Sequence, residues 1–165
     1  MRRRDFLGVL GGAAATWSLA ARAQQTRRRV GALILGNADA QSFEADLREE
    51  LRKRGYVEGQ NIQYEFLSAD GNIALLSKLA AELVALKVDI IVALYTPCAL
   101  AAKQATRDIP IVAISGDLVA FGLVASLARP GGNITGISMI GAELFGKSFE
   151  LLREALPGLR RVAAL

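Results

Sequence analysis

The sequence predicts an α/β fold, a parallel sheet flanked by helices, and three observations lead to it. From Arg29 onward, short apolar runs alternate with helical stretches in a regular beat. The central runs are apolar on both faces, as strands covered by helices on either side must be. Glycine, asparagine and proline mark most junctions between the two patterns, and alternation of this kind implies parallel crossovers.

Residues 1–23 read as an export leader that precedes the fold. Arg2, Arg3 and Arg4 form a basic start, Phe6 to Ala20 a short apolar stretch, and Ala21-Arg22-Ala23 an A-x-A cleavage site before Gln24. The stretch is too short and too rich in glycine and alanine to stay as a membrane span. Arg3-Arg4-Asp5-Phe6-Leu7 also resembles a twin-arginine motif, with Arg2 where serine or threonine is usual and Gly8 where lysine is common. The weakly hydrophobic, glycine-bearing stretch favours that route; an ordinary Sec signal is the alternative. Gln24, not a cysteine, stands directly after Ala23, so a lipid anchor is not expected, and the location predicted is periplasmic.

Val30 to Leu35 is the first strand, ended by Gly36-Asn37. A helix follows over Asp39 to Arg54. Phe43, Leu47 and Leu51 recur at four-residue spacing on one face, and Glu44–Arg48, Glu49–Lys53 and Glu50–Arg54 place acid before base on the other. Gly55 stops it in the C′ position. Ile62 to Leu67 is the second strand. Asp70-Gly71-Asn72 caps a helix from Ile73 to Leu86, with Leu75, Leu76, Leu79, Leu83 and Leu86 expected in the core. Asp89 to Ala93 is the third strand. Thr96 as N-cap and Pro97 at the first helical position open a helix running to Ala105. Ile109 to Ile114 is the fourth strand. An alanine- and leucine-rich segment (Val119 to Ala128), a turn (Arg129 to Asn133), a fifth strand (Ile134 to Ile137), a helix (Gly141 to Ala155) and a sixth strand (Arg161 to Leu165) complete the expectation.

Composition narrows the chemistry. The formal net charge of +4 comes largely from the leader, which holds four of the twenty basic residues and one of the sixteen acids. The remainder is nearly neutral and has no electrostatic footprint for nucleic acid. The chain has no histidine and one cysteine, Cys98, too few ligands for zinc, iron–sulfur or haem, and no histidine base for hydrolytic or acid–base catalysis. No dinucleotide or phosphate-binding glycine motif stands at a strand-to-helix junction. Neither cofactor nor metal is expected, and the chain does not read as an enzyme.

In open α/β sheets, ligands bind beyond the carboxyl ends of the strands. Four segments reach that edge: Gly36-Asn37-Ala38, Tyr95-Thr96-Pro97-Cys98, Ser115-Gly116-Asp117 and Ser138-Met139. The helix start at Thr96 suits a carboxylate, Tyr95 suits stacking or a hydrogen bond, and Asp117 suits an ammonium. Together they sketch an amino-acid-like ligand, with candidate contacts Asn37, Tyr95, Thr96, Cys98, Ser115, Asp117 and Ser138. Plainer roles stand beside these: capping for Thr96-Pro97, turn formation for Asp117, a pocket wall for Tyr95, and a small buried side chain for Cys98.

Several blocks run in a recognisable order. They are Gly55-Tyr56-Val57-Glu58-Gly59-Gln60-Asn61, Leu79 to Val84, Thr96-Pro97 with Ala101 to Thr106, Ile109-Pro110-Ile111-Val112, and Gly122 to Gly136. The chain is similar in these blocks to the substrate-binding proteins of ABC transporters assigned to tryptophan, tyrosine and related ligands. The resemblance implies a type I periplasmic-binding-protein fold whose two lobes close on a small-molecule ligand and then dock on a membrane permease. It places cleft loops on Asn37, Thr96 and Asp117, with Ser138 entering from the second lobe. The family usually has proline after the aspartate of its Gly-Asp-Pro turn, where this chain has Leu118; small residues are common where Cys98 stands. Lobes of this kind are ordinary domains of roughly 100–150 residues. The expected division is therefore a first lobe over 24–117, then a crossover and incomplete second lobe over 118–165, a truncated receptor. Solute capture for import is the leading function. A sensor domain, an exported enzyme and a non-functional remnant of a receptor are the alternatives.

Overall fold

A computed structural model describes residues 27–139, 141–158 and 161. The leader, its Ala23–Gln24 junction and residues 162–165 of the expected sixth strand lie outside the described residues. Five strands, β1 (Arg28–Ile34), β2 (Ile62–Ser68), β3 (Ile90–Leu94), β4 (Ile111–Ser115) and β5 (Ile134–Ser138), form one sheet in the order β2-β1-β3-β4-β5. Every neighbouring pair is parallel, with Val30 opposite Tyr64, Gly31 opposite Ile91, Ala93 opposite Ala113 and Ile114 opposite Ile137. The helices are α1 (Asn37–Lys53), α2 (Leu76–Ala85), α3 (Tyr95–Ala105) and α4 (Gly141–Ala155), with a 3₁₀ turn over Ile73–Leu75 before α2.

Alternation along the strands builds two cores. One holds Leu33, Ile91, Ala93, Ile111, Ala113 and Ile134 against Leu76, Ala80 and Leu83 of α2 and the alanines of α3. On the other face, Val30, Ala32, Ile34, Ile62 and Val92 meet Phe43, Leu47 and Leu51 of α1. The three expected acid–base pairs of α1 form at 3.2, 4.0 and 2.8 Å; being exposed and screened by solvent, they add little to stability. Gly55 ends α1 at φ +85, and its N–H and that of Tyr56 reach back to the carbonyls of Arg52 and Leu51, the Schellman closure.

Two expectations need correction. Leu75 is 40 % exposed, because the chain enters α2 through the 3₁₀ turn, whose tighter winding rotates Leu75 off the buried stripe. Thr96 does not cap α3: the N-cap is Leu94 and no side chain accepts a capping bond there. The segment 119–128 is a run of turns with neither helix nor strand. The stretch after Asp117 leads back to the same sheet. β5 continues it in register with β4 from Ile111–Ile134 to Ser115–Ser138, so Ser138 approaches from the same sheet as Ser115.

Candidate functional site

Because all five strands run parallel, their carboxyl ends share one edge. β1 connects outward to β2 on one side, whereas β3, β4 and β5 proceed to the other. The order therefore reverses between β1 and β3, and crevices in doubly wound sheets open at such a reversal. Gly36 and the start of α1 flank it from β1; Tyr95 and Thr96 flank it from β3.

Tyr95 joins β3 to α3 without a loop, and the abrupt turn puts its backbone at φ +71, a region that disfavours side chains. Its side chain is 37 % exposed. Thr96, half-buried, points its hydroxyl along the rim to the end of β4: Oγ1 lies 2.8 Å from Ser115 Oγ and accepts the N–H of Gly116 at 3.3 Å. Pro97 falls in the first turn of α3, where a missing N–H leaves no helical bond unmade.

The β4 and β5 ends are tied to each other. Ser138 Oγ donates to the Gly116 carbonyl at 3.1 Å and accepts the Leu118 N–H at 3.2 Å, and the Met139 N–H donates to the Ser115 carbonyl at 2.8 Å. Asp117 is exposed; its Oδ1 accepts the N–H groups of Val119 and Ala120 at 2.9 and 3.0 Å. That turn lifts the exposed ring of Phe121 beside Gly116.

The structure thus brings Tyr95, Thr96, Ser115, Asp117 and Ser138 to one rim, with Asn37 opening α1 at the same edge. Of Asn37 only the backbone is described. Their access differs. Tyr95, Thr96 and Asp117 reach solvent, whereas Ser115 is completely buried, its hydroxyl braced against Thr96, and Ser138 holds the β4–β5 junction together. Cys98 does not share the rim. It is completely buried in the core under α3, and burial pushes its thiol up to about 12. Two residues on from Thr96, a helix has turned through about 200°, which is why chain proximity did not bring it to the opening. Sequence reading missed Phe121, since one aromatic in an unstructured stretch carries no periodic signal.

The fold and rim define an open, doubly wound α/β lobe with a polar rim beside its strand-order reversal, the architecture of a ligand-binding lobe, with no catalytic constellation among the described residues. Residues 33–165 match the family model described as ABC transporter substrate binding protein, and the chain belongs to that family. A tyrosine-binding protein of Clostridioides difficile is 36 % identical over 116 residues, which are 70 % of this chain and 33 % of that protein. Among solved structures, a conserved domain protein from Vibrio cholerae matches with a TM-score of 0.72 and 31 % identity, over 81 % of this chain and 45 % of that one. The ligand-free, open structure of a substrate-binding protein with adhesive properties from Clostridium difficile matches at 0.67 and 33 %, over 79 % and 44 %. An ABC domain from Streptococcus pneumoniae in complex with L-Trp matches at 0.64 and 27 %, over 68 % and 39 %. The chain therefore spans a third of the curated relative and under half of each of these structures. Among the described residues, no helix is long and apolar enough to cross a membrane.

Proposed function

We propose that this chain supplies one wall of the ligand cleft in an exported receptor for an ABC importer, and that the ligand is an amino acid with an aromatic side chain. The observation that carries the reading is the convergence of Tyr95, Thr96 and Asp117 on one carboxyl edge at the strand-order reversal. Thr96 has two partners, and a hydroxyl offers one donor and two acceptor sites, so one further bond remains for a ligand. Tyr95 offers a ring to stack on, and Asp117 a carboxylate for an ammonium group. The relatives named for tyrosine and solved with L-Trp support the aromatic class.

In this reading the chain acts by closure. A ligand held between two lobes stabilises their closed arrangement, and the closed receptor docks on a membrane permease. The leader, with its twin-arginine-like start and cleavage between Ala23 and Gln24, delivers the protein to the periplasm. A boundary near Asp117 divides the first lobe from a crossover into the second, with β5 crossing over along the first lobe's sheet. Asn37 completes the rim from the β1 side.

The test is a thermal-shift and calorimetric screen of the purified chain against the amino acids at millimolar concentration. L-tyrosine and L-tryptophan are expected to raise the melting temperature by mass action, and Thr96→Val to abolish the rise. A folded chain that responds to no amino acid overturns the proposal.

A further inference from the structure

Phe121 is a large apolar side chain left 52 % exposed at the rim, on a turn that is firmly built. Asp117 Oδ1 ties Val119 and Ala120. The Asp117 carbonyl accepts the Phe121 N–H at 3.1 Å, and the Val119 carbonyl accepts that of Gly122 at 2.9 Å. Leu118 on one side, Leu123 and Val124 on the other, are buried in the core, so both ends of the turn are anchored. Lys103 of α3 also donates to the Gly122 carbonyl. Such bracing fixes where the ring stands.

The ring edge stands beside Gly116, on the side where the Thr96 hydroxyl also lies. A Cβ at Gly116 would lie 3.3 Å from Phe121 Cε2 and 3.5 Å from Thr96 Oγ1. The phenyl edge and the Thr96 hydroxyl therefore both close on the bare Gly116 backbone, leaving less than a methyl's clearance there, while about half of Phe121 stays open to solvent. A flat apolar group with a polar margin suits this pair, its face or edge against the exposed part of the phenyl and its polar margin toward Thr96. Aliphatic side chains gain the burial without the ring–ring geometry.

We infer that Phe121 is the specificity-determining residue of this rim: an aromatic wall that selects ring-bearing ligands, with Gly116 as the bare backbone on which its edge rests. The inference rests on the receptor reading above and adds to it the residue that discriminates. Phe121 does so through the ligand's side chain, apart from the groups that hold its charged ends.

Saturation-transfer NMR on the full chain, with L-tryptophan, L-tyrosine, L-leucine and L-alanine as probes, tests this. Phe121→Ala should weaken the two aromatic ligands by about tenfold and the two aliphatic ones by less than about twofold. Phe121→Tyr should restore the preference, and Gly116→Ala, whose methyl would press on the Phe121 edge and shift the ring, should weaken the aromatic pair selectively. The exposed ring makes loss of folding upon truncation a poor substitute explanation, and rescue by tyrosine separates the two. If the wild-type chain binds the aromatic pair while Phe121→Ala leaves all four ligands unchanged, or weakens all four alike, the inference falls alone. If the wild-type chain binds none of the four, the receptor reading falls and takes the inference with it.

Discussion

The hydroxyls of Thr96 and Ser115 lie 2.8 Å apart, joining the start of α3 to the end of β4, and the Ser115 side chain is completely buried. Thr96→Val keeps the shape but strands the Ser115 hydroxyl and removes the acceptor of the Gly116 N–H. A buried polar group left unpaired costs about 1–3 kcal/mol, and urea unfolding should show a loss of that size. Thr96→Ser should recover most of it. The double variant Thr96→Val with Ser115→Ala should be less destabilised than the sum of the single ones, because removing both partners leaves less unsatisfied.

Tyr95 gives an unusual order of stabilities. Alanine normally outranks glycine in a helix by about 1 kcal/mol. At φ +71 the order should invert, since any Cβ there is disfavoured by about 1–2 kcal/mol. Tyr95→Gly and Tyr95→Ala both delete the ring and its contacts, so the difference between them isolates the backbone. Tyr95→Gly is expected to be the more stable; the reverse order in chemical denaturation would refute a strained junction.

What the sequence disclosed was periodic, and what it concealed was not. The apolar runs at Val30, Ile90 and Ile111 and the amphipathic stripe of Phe43, Leu47 and Leu51 announced the strands and α1, since burial on a regular element repeats along the chain. Leu75 looked like one more core leucine because the helical repeat does not register a 3₁₀ turn. The membership of β5 in the first sheet was hidden because its separation from β4 by irregular turns looks the same whether the strand pairs or leaves. At the rim, the pattern suggested a helix cap at Thr96, while the hydroxyl turns to Ser115 nineteen residues away. Cys98 and Phe121 erred in opposite directions, one near the site in sequence and sealed in the core, the other remote from Thr96 in sequence and beside it in space.

Gly136 of β5, at φ +159, sits opposite Ala113 of β4. A Cβ on it would fall 1.8 Å from the Ala113 carbonyl oxygen, a backbone atom that no side-chain rotation can move away. Gly136→Ala must therefore part the two strands and should destabilise the chain by about 3 kcal/mol or more. Amide hydrogen exchange should locate the damage, with protection lost over Ile134–Ser138 and at the β4 amides facing it. Since Ser138 braces the Gly116–Leu118 turn, the same variant should loosen the rim and weaken ligand binding without touching any rim residue.

Cys98 ties stability to alkaline pH. In the folded chain burial holds the thiol neutral to about 12, against an ordinary value of 9.0. The folded state thus keeps a proton that the unfolded state surrenders. Its contribution to stability is complete below pH 9 and drains away as pH rises toward 12, by about 1.4 kcal/mol for each unit of difference. Comparison with Cys98→Ala removes the common background of lysine and tyrosine titration: the wild type should lose stability more steeply between these limits, although the variant starts lower from the void it leaves. The same burial predicts that iodoacetamide labels Cys98 near neutral pH only as fast as the core opens, and at the rate of an ordinary thiol in urea. Rapid labelling of the native chain would mean that the thiol faces the cleft after all, and would return Cys98 to the ligand site.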